Sequence, residues 1–266
     1  MDILTILGLV MGLGVVYYVM VQGEITALLF NINAFLLVFG GTLASTMITY
    51  PWSVLKRLPR AMFFVLRPPK SKDISEVINK LVNIQTVSQS RGVDAISDEL
   101  STVDDSFMIT GLRMLMEDQP PEVIRENLDN ELTSIRHRHM QVIGVFRAMG
   151  SYAPIFGLLG TLIGVVQVLR NLDNPSAMGA SMAIAITTTF YGIFGSNFIF
   201  LPIAGKLDGY SSDEVLMKEL IMAGVVSISE GVLPALLRQR LERFITEEQR
   251  AKMRSAVPAV PAAPAV

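Results

Sequence analysis

The sequence predicts an all-α membrane protein with four transmembrane helices, a helical cytoplasmic domain between spans two and three, and a helical C-terminal extension. Three observations lead there. Four stretches, roughly 3–21, 34–50, 153–169 and 183–204, contain no Asp, Glu, Lys or Arg and approach the ~20 residues that a helix needs to cross a bilayer. Of the 22 Lys and Arg, only Arg170 lies outside 51–150 and 205–266, and cytoplasmic flanks are where positive charge collects. The intervening polar regions carry apolar residues at helical spacing. A mean hydropathy of +0.47 with 17% charged residues agrees with this class.

The first span, in MDILTILGLVMGLGVVYYVM, lacks a cationic leader and is apolar for too long to be a signal peptide. It is expected to be retained, with QGEITALLFNIN leading to the second span, which Pro51 stops beside the interfacial Trp52. Lys56, Arg57, Arg60, Arg67, Lys70, Lys72 and, beside the third span, Arg147 flank membrane ends. They place both termini in the cytoplasm. WSVLKRLPRAMFFVLRPPK mixes basic and aromatic residues and reads as a helix leaving along the membrane surface. From Asp73 to Gly150 the pattern is helical, with Ile74, Val77, Ile78, Leu81 and Val82 on one stripe and Pro121 as a first helical residue. RNLDNPSAMGAS is the expected loop between spans three and four. VLMKELIMAGVVSISEG and LPALLRQRLERFITEEQRAKMR continue the cytoplasmic helices, and the Pro/Ala-rich end, 255–266, is expected to be disordered. The domains are then 1–50, 51–150, 151–204, 205–254 and 255–266.

Nothing in the sequence points to an enzyme or to a resident cofactor. With no cysteine, disulfides, thiolate nucleophiles and Cys-based zinc sites are excluded. His137 and His139 stand two apart on a helix and face different directions, so they read as a solvated or partner-facing patch. A net charge of -2 offers no basic field for nucleic acid. Gly157, Gly160 and Gly164 have helical spacing and read as close helix packing in a membrane.

The hydroxyls remain. Thr161 in the third span and Thr187, Thr188 and Thr189 in the fourth lie at comparable depth, where two spans could line one polar path. A threonine in a span can also simply bond back to its own helix. Hydroxyl and carbonyl oxygens suit a hard cation. With no acid inside a span, a cation would lack a countercharge, so a partner helix bearing Asp or Glu is expected against spans three and four.

FRAMGSYAPIFGLLGTLIGVVQVLRNLDNPSAMGASMAIAITTTFYGIFGSNFIFLPIAGKL, residues 146–207, resembles spans three and four of the MotA/PomA family, the A subunit of the bacterial flagellar stator within the MotA/TolQ/ExbB superfamily. The similarity runs over nearly the whole chain, from MDILTILGLV and VFGGTLAS onward. It implies a ring in the bacterial inner membrane, expected to be a pentamer, around a two-copy MotB/PomB-like B subunit whose single span carries the ion-binding Asp. Ion passage would turn the ring, and its cytoplasmic domain would drive a FliG-like rotor protein. By resemblance, Pro154 and Pro202 match the prolines that couple ion movement to shape change. Thr189 matches the threonine near the partner's Asp, with Thr188 a weaker candidate. Thr161 falls where sodium-driven members have Thr and proton-driven ones often Ala, so a transient sodium site at Thr161 and Thr189 is expected, with H+ as the alternative cation. Arg91, Asp98 and Glu99 fall at the rotor-facing charges, although such a charge run is ordinarily a solvated face. Ser151 stands where sodium-driven relatives often have an acid, which weakens the sodium assignment. Rival readings are an ExbB/TolQ-like energiser of envelope transport, whose members have three spans, and a structural scaffold whose threonines merely pack.

Overall fold

The structure, a computed structural model, describes residues 3–24, 26, 30–66, 73–248 and 250. The 255–266 tail, expected to be disordered, lies outside these residues, as do the flanking cations Arg67, Lys70 and Lys72. Among the described residues the regular structure is all helical. Contacts divide the chain into two units: Met1–Pro69 with His137–Tyr210, and Lys70–Arg136 with Ser211–Val266.

The first unit begins with α1, Ile3–Gln22, which is apolar along its 20 residues. Asn31 then caps α2 by accepting from the Asn33 and Ala34 N–H groups, a common way to satisfy the first amides of a helix. α2 runs Ile32–Thr49 and includes a π turn over Leu36–Gly40. Thr42 and Thr46, both buried, donate to the Val38 and Thr42 carbonyls at 2.6 and 2.7 Å. α3 (Trp52–Leu55) follows Pro51, and α4 is Leu58–Leu66. Over its described part, 52–66, the surface helix expected from Trp52 to Lys70 is two short helices, with Pro59 just inside the second, where a missing N–H costs no helical bond.

α8, Pro121–Arg170, has 50 residues and holds Pro154 in its interior. α9, Pro175–Phe194, passes into a π segment, Gly195–Phe200, and then into α10, Leu201–Ser229. The loop expected at 170–181 is a correction: the turn ends at Asn174, whose side chain caps α9, and Pro175 opens the helix. Proline is preorganised for that position, so the Pro-Ser pair read as loop is a helix start. In the first unit Val38, Val54, Ile143, Phe146, Met149, Ala153 and Phe200 are buried together. Phe39 extends this core, 4.7 Å from Phe35 and 6.3 Å from Phe200 between ring centroids.

Among the described residues, three helical segments are long and apolar enough to cross a membrane. They are Ile32–Thr49, part of Pro121–Arg170 and part of Ala177–Ser229. The expected spans 153–169 and 183–204 fall inside the second and third, 34–50 overlaps the first up to Thr49, and 3–21 falls on α1.

The second unit packs α5 (Ile74–Arg91), α6 (Ile96–Leu100), α7 (Ser106–Met116) and α11 (Pro234–Leu241) with its parts of α8 and α10. Asp73 and Asp105 cap α5 and α7 through their carboxylates. Ile78, Leu81, Phe107, Leu112, Leu128 and Ile221 meet in one apolar core. Lys218 is nearly buried between Asp105 and Glu214, each 3.9 Å away, with its ammonium 5.0 Å from the Phe107 ring centroid. The buried Gln85 donates to the Val232 carbonyl and ties α5 to the turn before α11.

Candidate functional site

The geometry begins with missing side chains. A Cβ at Gly157 would stand 2.9 Å from the Thr188 carbonyl oxygen and 3.2 Å from Thr189 Cα. One at Gly164 would stand 2.5 Å from Ala185 Cβ, and one at Gly160 would overlap the Thr188 side chain. Small residues let helix backbones approach in a membrane, and here they admit α9 onto α8. Gly192 completes the seam: its Cβ would meet the Ala153 carbonyl oxygen at 2.6 Å. The three glycines at helical spacing thus have the packing role their sequence suggests.

The threonines divide around this seam. Thr188 is fully buried, seated over Gly160, and donates to the Ala185 carbonyl at 2.8 Å. Thr187 is buried as well. Thr161 and Thr189 are half-buried. The close contacts pair Gly157 with Thr189, Gly160 with Thr188 and Gly164 with Ala185, so the helices run antiparallel. With 3.6 residues per turn, Thr161 and Thr189 each stand about 65° off the line of closest approach. Opposite helix sense puts both offsets on the same side. Thr189 is level with Gly157, and Thr161 lies four residues, about 6 Å, further along.

The seam therefore has one flank with two hydroxyls on it, bordered by exposed Leu158, Val165, Ile186 and Ile193. Thr161 donates to the Leu158 carbonyl at 2.6 Å and Thr189 to the Ala185 carbonyl at 3.4 Å. With both hydroxyls bonded back to the chain's own backbone, each oxygen keeps lone pairs for another partner. That surface can accept a cation or a donor. Among the described residues, no group of three or more His, Cys, Asp or Glu is placed to hold a metal.

Pro154 lies beside the same seam, with its Cα 3.1 Å from where a Gly192 Cβ would stand. Having no N–H, it leaves the Gly150 carbonyl without its helical donor. Ser196, from the π segment, donates to that oxygen at 2.6 Å. Pro202 follows the π segment and is exposed.

Arg91 ends α5 immediately before Gly92, whose φ of 87° turns the chain. Asp98 and Glu99 are on α6. Arg91 and Asp98 are exposed and Glu99 is half-buried. All three belong to the second unit, apart from the threonines in sequence and in unit. His137 is exposed, with its Nε2 3.0 Å from Gln141 Nε2 one turn on.

Sequence reading missed Ser196, the Lys218 cluster and an ion pair between Arg147 and Asp208 at 3.0 Å. A lysine inside the apolar run VLMKELIM signalled the second. The first had a subtler sign, a serine in an apolar span after an interior proline.

Residues 99–220 match the profile of the MotA/TolQ/ExbB proton channel family. The chain is 32% identical to the chemotaxis protein PomA of Vibrio alginolyticus over 94% of its own length and 98% of that protein. It is 34% identical to motility protein A of Borreliella burgdorferi, covering 82% of this chain and 83% of the other. The flagellar MotAB stator complex of Bacillus subtilis superposes with a TM-score of 0.85 at 28% identity, over 94% of this chain and 98% of that one. The C. jejuni MotAB structure gives the same TM-score at 24% identity, over 93% and 97%, a likeness of fold.

Proposed function

This chain belongs to the MotA/PomA family, and from that premise we propose that it is the A subunit of a sodium-driven flagellar stator. With a single-span B subunit carrying a membrane Asp, it converts ion-motive force into torque on a FliG-like rotor protein. It works as a ring of copies, expected to be five, in the bacterial inner membrane, with four spans and both termini cytoplasmic. Spans one and two lie in 1–50, spans three and four in 151–204 line the ion path, the helical domain of 51–150 faces the rotor, and 205–254 adds cytoplasmic C-terminal helices.

The observation that carries this proposal is the single flank shared by Thr161 and Thr189, whose hydroxyl oxygens keep lone pairs for another partner. A partner helix laid along that flank would bring its carboxylate to two neutral oxygens. A cation held there neutralises the acid, and its release inward lets the ring step. Each ion falling through 100 mV supplies about 2.3 kcal/mol, enough to shift a helix interface poised between two packings. Pro154 and Pro202 are the points where the spans yield. Thr188 is occupied by the seam and supports the site from behind. Arg91 and Asp98, exposed on the second unit, and Glu99 on the same helix as Asp98 are the rotor contacts.

Swimming against external sodium at fixed total salt is the test. Speed should rise with sodium and saturate, and Thr161→Ala should weaken that dependence. A motor indifferent to sodium but stopped by a proton uncoupler would make the ion H+.

A further inference from the structure

An interior proline removes one helical hydrogen bond and strands the carbonyl four residues earlier. Within a membrane no water replaces the missing donor, so the stranded oxygen must find a partner in protein. For Pro154 the oxygen is that of Gly150, and the partner is the Ser196 hydroxyl, 2.6 Å away and 3% exposed. These residues are 46 apart in sequence. Ser196 is the second residue of the π segment Gly195–Phe200. That segment ends two residues before Pro202, which likewise cannot donate to the Phe198 carbonyl. A π turn is a local change of hydrogen-bond register, and such turns recur at functional sites. One hydroxyl therefore joins the backbone defect made by the first proline to the register shift that precedes the second. Gly192, one turn before Ser196, keeps the two backbones close enough for the reach.

We infer that Ser196 is a positioning residue that latches Pro154 to the π segment and Pro202, so that the two prolines move as one hinge. The role in torque rests on the stator reading above; the latch itself does not. When the Pro154 region changes shape, the Ser196 hydroxyl carries that change into the chain leading to Pro202. Without it, each proline relaxes alone.

The test uses S196A, S196T and P154A in the full chain, the first two also placed in a stator-deleted swimming host with a family B subunit. S196A should assemble at wild-type level and swim at least about 3-fold slower, while S196T, which keeps a hydroxyl, should restore most of the speed. In the purified full chain, S196A should lower Tm by about 2–4 °C. In the P154A background, where Gly150 regains a helical donor, the same change should cost less than about 1 °C. Equal losses in the two backgrounds would overturn the latch. A normal Tm cycle with unchanged swimming in S196A would overturn its role in coupling. If the wild-type chain drives no swimming at all, the stator reading fails, and the Tm cycle still decides the latch.

Discussion

The two units bury their apolar side chains by opposite rules. In the unit built on Met1–Pro69 and His137–Tyr210, large apolar groups face outward: Val10, Met11, Met47, Ile48, Leu162 and Val166 are all exposed, Ile48 at 86%. In the other unit Ile78, Leu81, Phe107 and Leu112 are wholly inside, and salt bridges such as Arg136–Glu219 at 2.9 Å lie on the surface. One chain thus answers to two solvents. Where lipid surrounds a helix, apolar contact outside is as good as inside, so packing is selected by small residues and hydrogen bonds instead. Where water surrounds it, burial of apolar area drives folding. The expected consequence is that function and stability separate between the units.

The strongest break would come from Thr189→Ala. It should abolish swimming while leaving membrane assembly intact, as judged by copurification with the B subunit; normal swimming would remove this hydroxyl from the ion site. Leu112→Ala should act in the other sense. Removing a fully buried side chain from the second unit should cost about 2–5 kcal/mol, read as a clear fall in Tm and in steady-state protein level. Arg91→Glu should reduce torque under load several-fold with ion flux unchanged, and unaltered torque would leave the exposed charge with no rotor role. The smallest effect belongs to Ile48→Ala. With its side chain outward in the first unit, it should change Tm by less than the ~2–4 °C that 1 kcal/mol would produce in a domain of this size. A loss comparable to that of Leu112→Ala would mean that Ile48 sits against a neighbouring subunit.

Much of this division was legible in the sequence. The apolar stretches without charge, the gathering of Lys and Arg and the glycine triplet all report on single helices or local spacing. The stripe that holds Ile78 and Leu81 is buried in the core because a 3.6-residue repeat is itself a packing surface. What escaped depended on pairs distant in sequence or on hydrogen-bond register. No local pattern announces that α2 and the chain after α9 change to π turns at Leu36–Gly40 and Gly195–Phe200. Within 170–181, Asn-Pro-Ser has the composition of a loop, although Asn174 and Pro175 are a cap and a first helical residue. Of the candidate site, the residue types and their depth were visible, but not which threonine faces the seam. Thr188 and Thr189 differ by 100° of helix rotation, and only the position of Gly160 on the neighbouring helix separates a packing hydroxyl from an available one.

The two hydroxyls also set which ligands that flank would suit. Hydroxyls bonded back to the Leu158 and Ala185 carbonyls keep lone pairs between hydrocarbon walls, a surface better matched to a cation or a hydrogen-bond donor than to an anion. Under the stator reading, that preference would come from neutral oxygens alone, with the formal charge left to the partner helix.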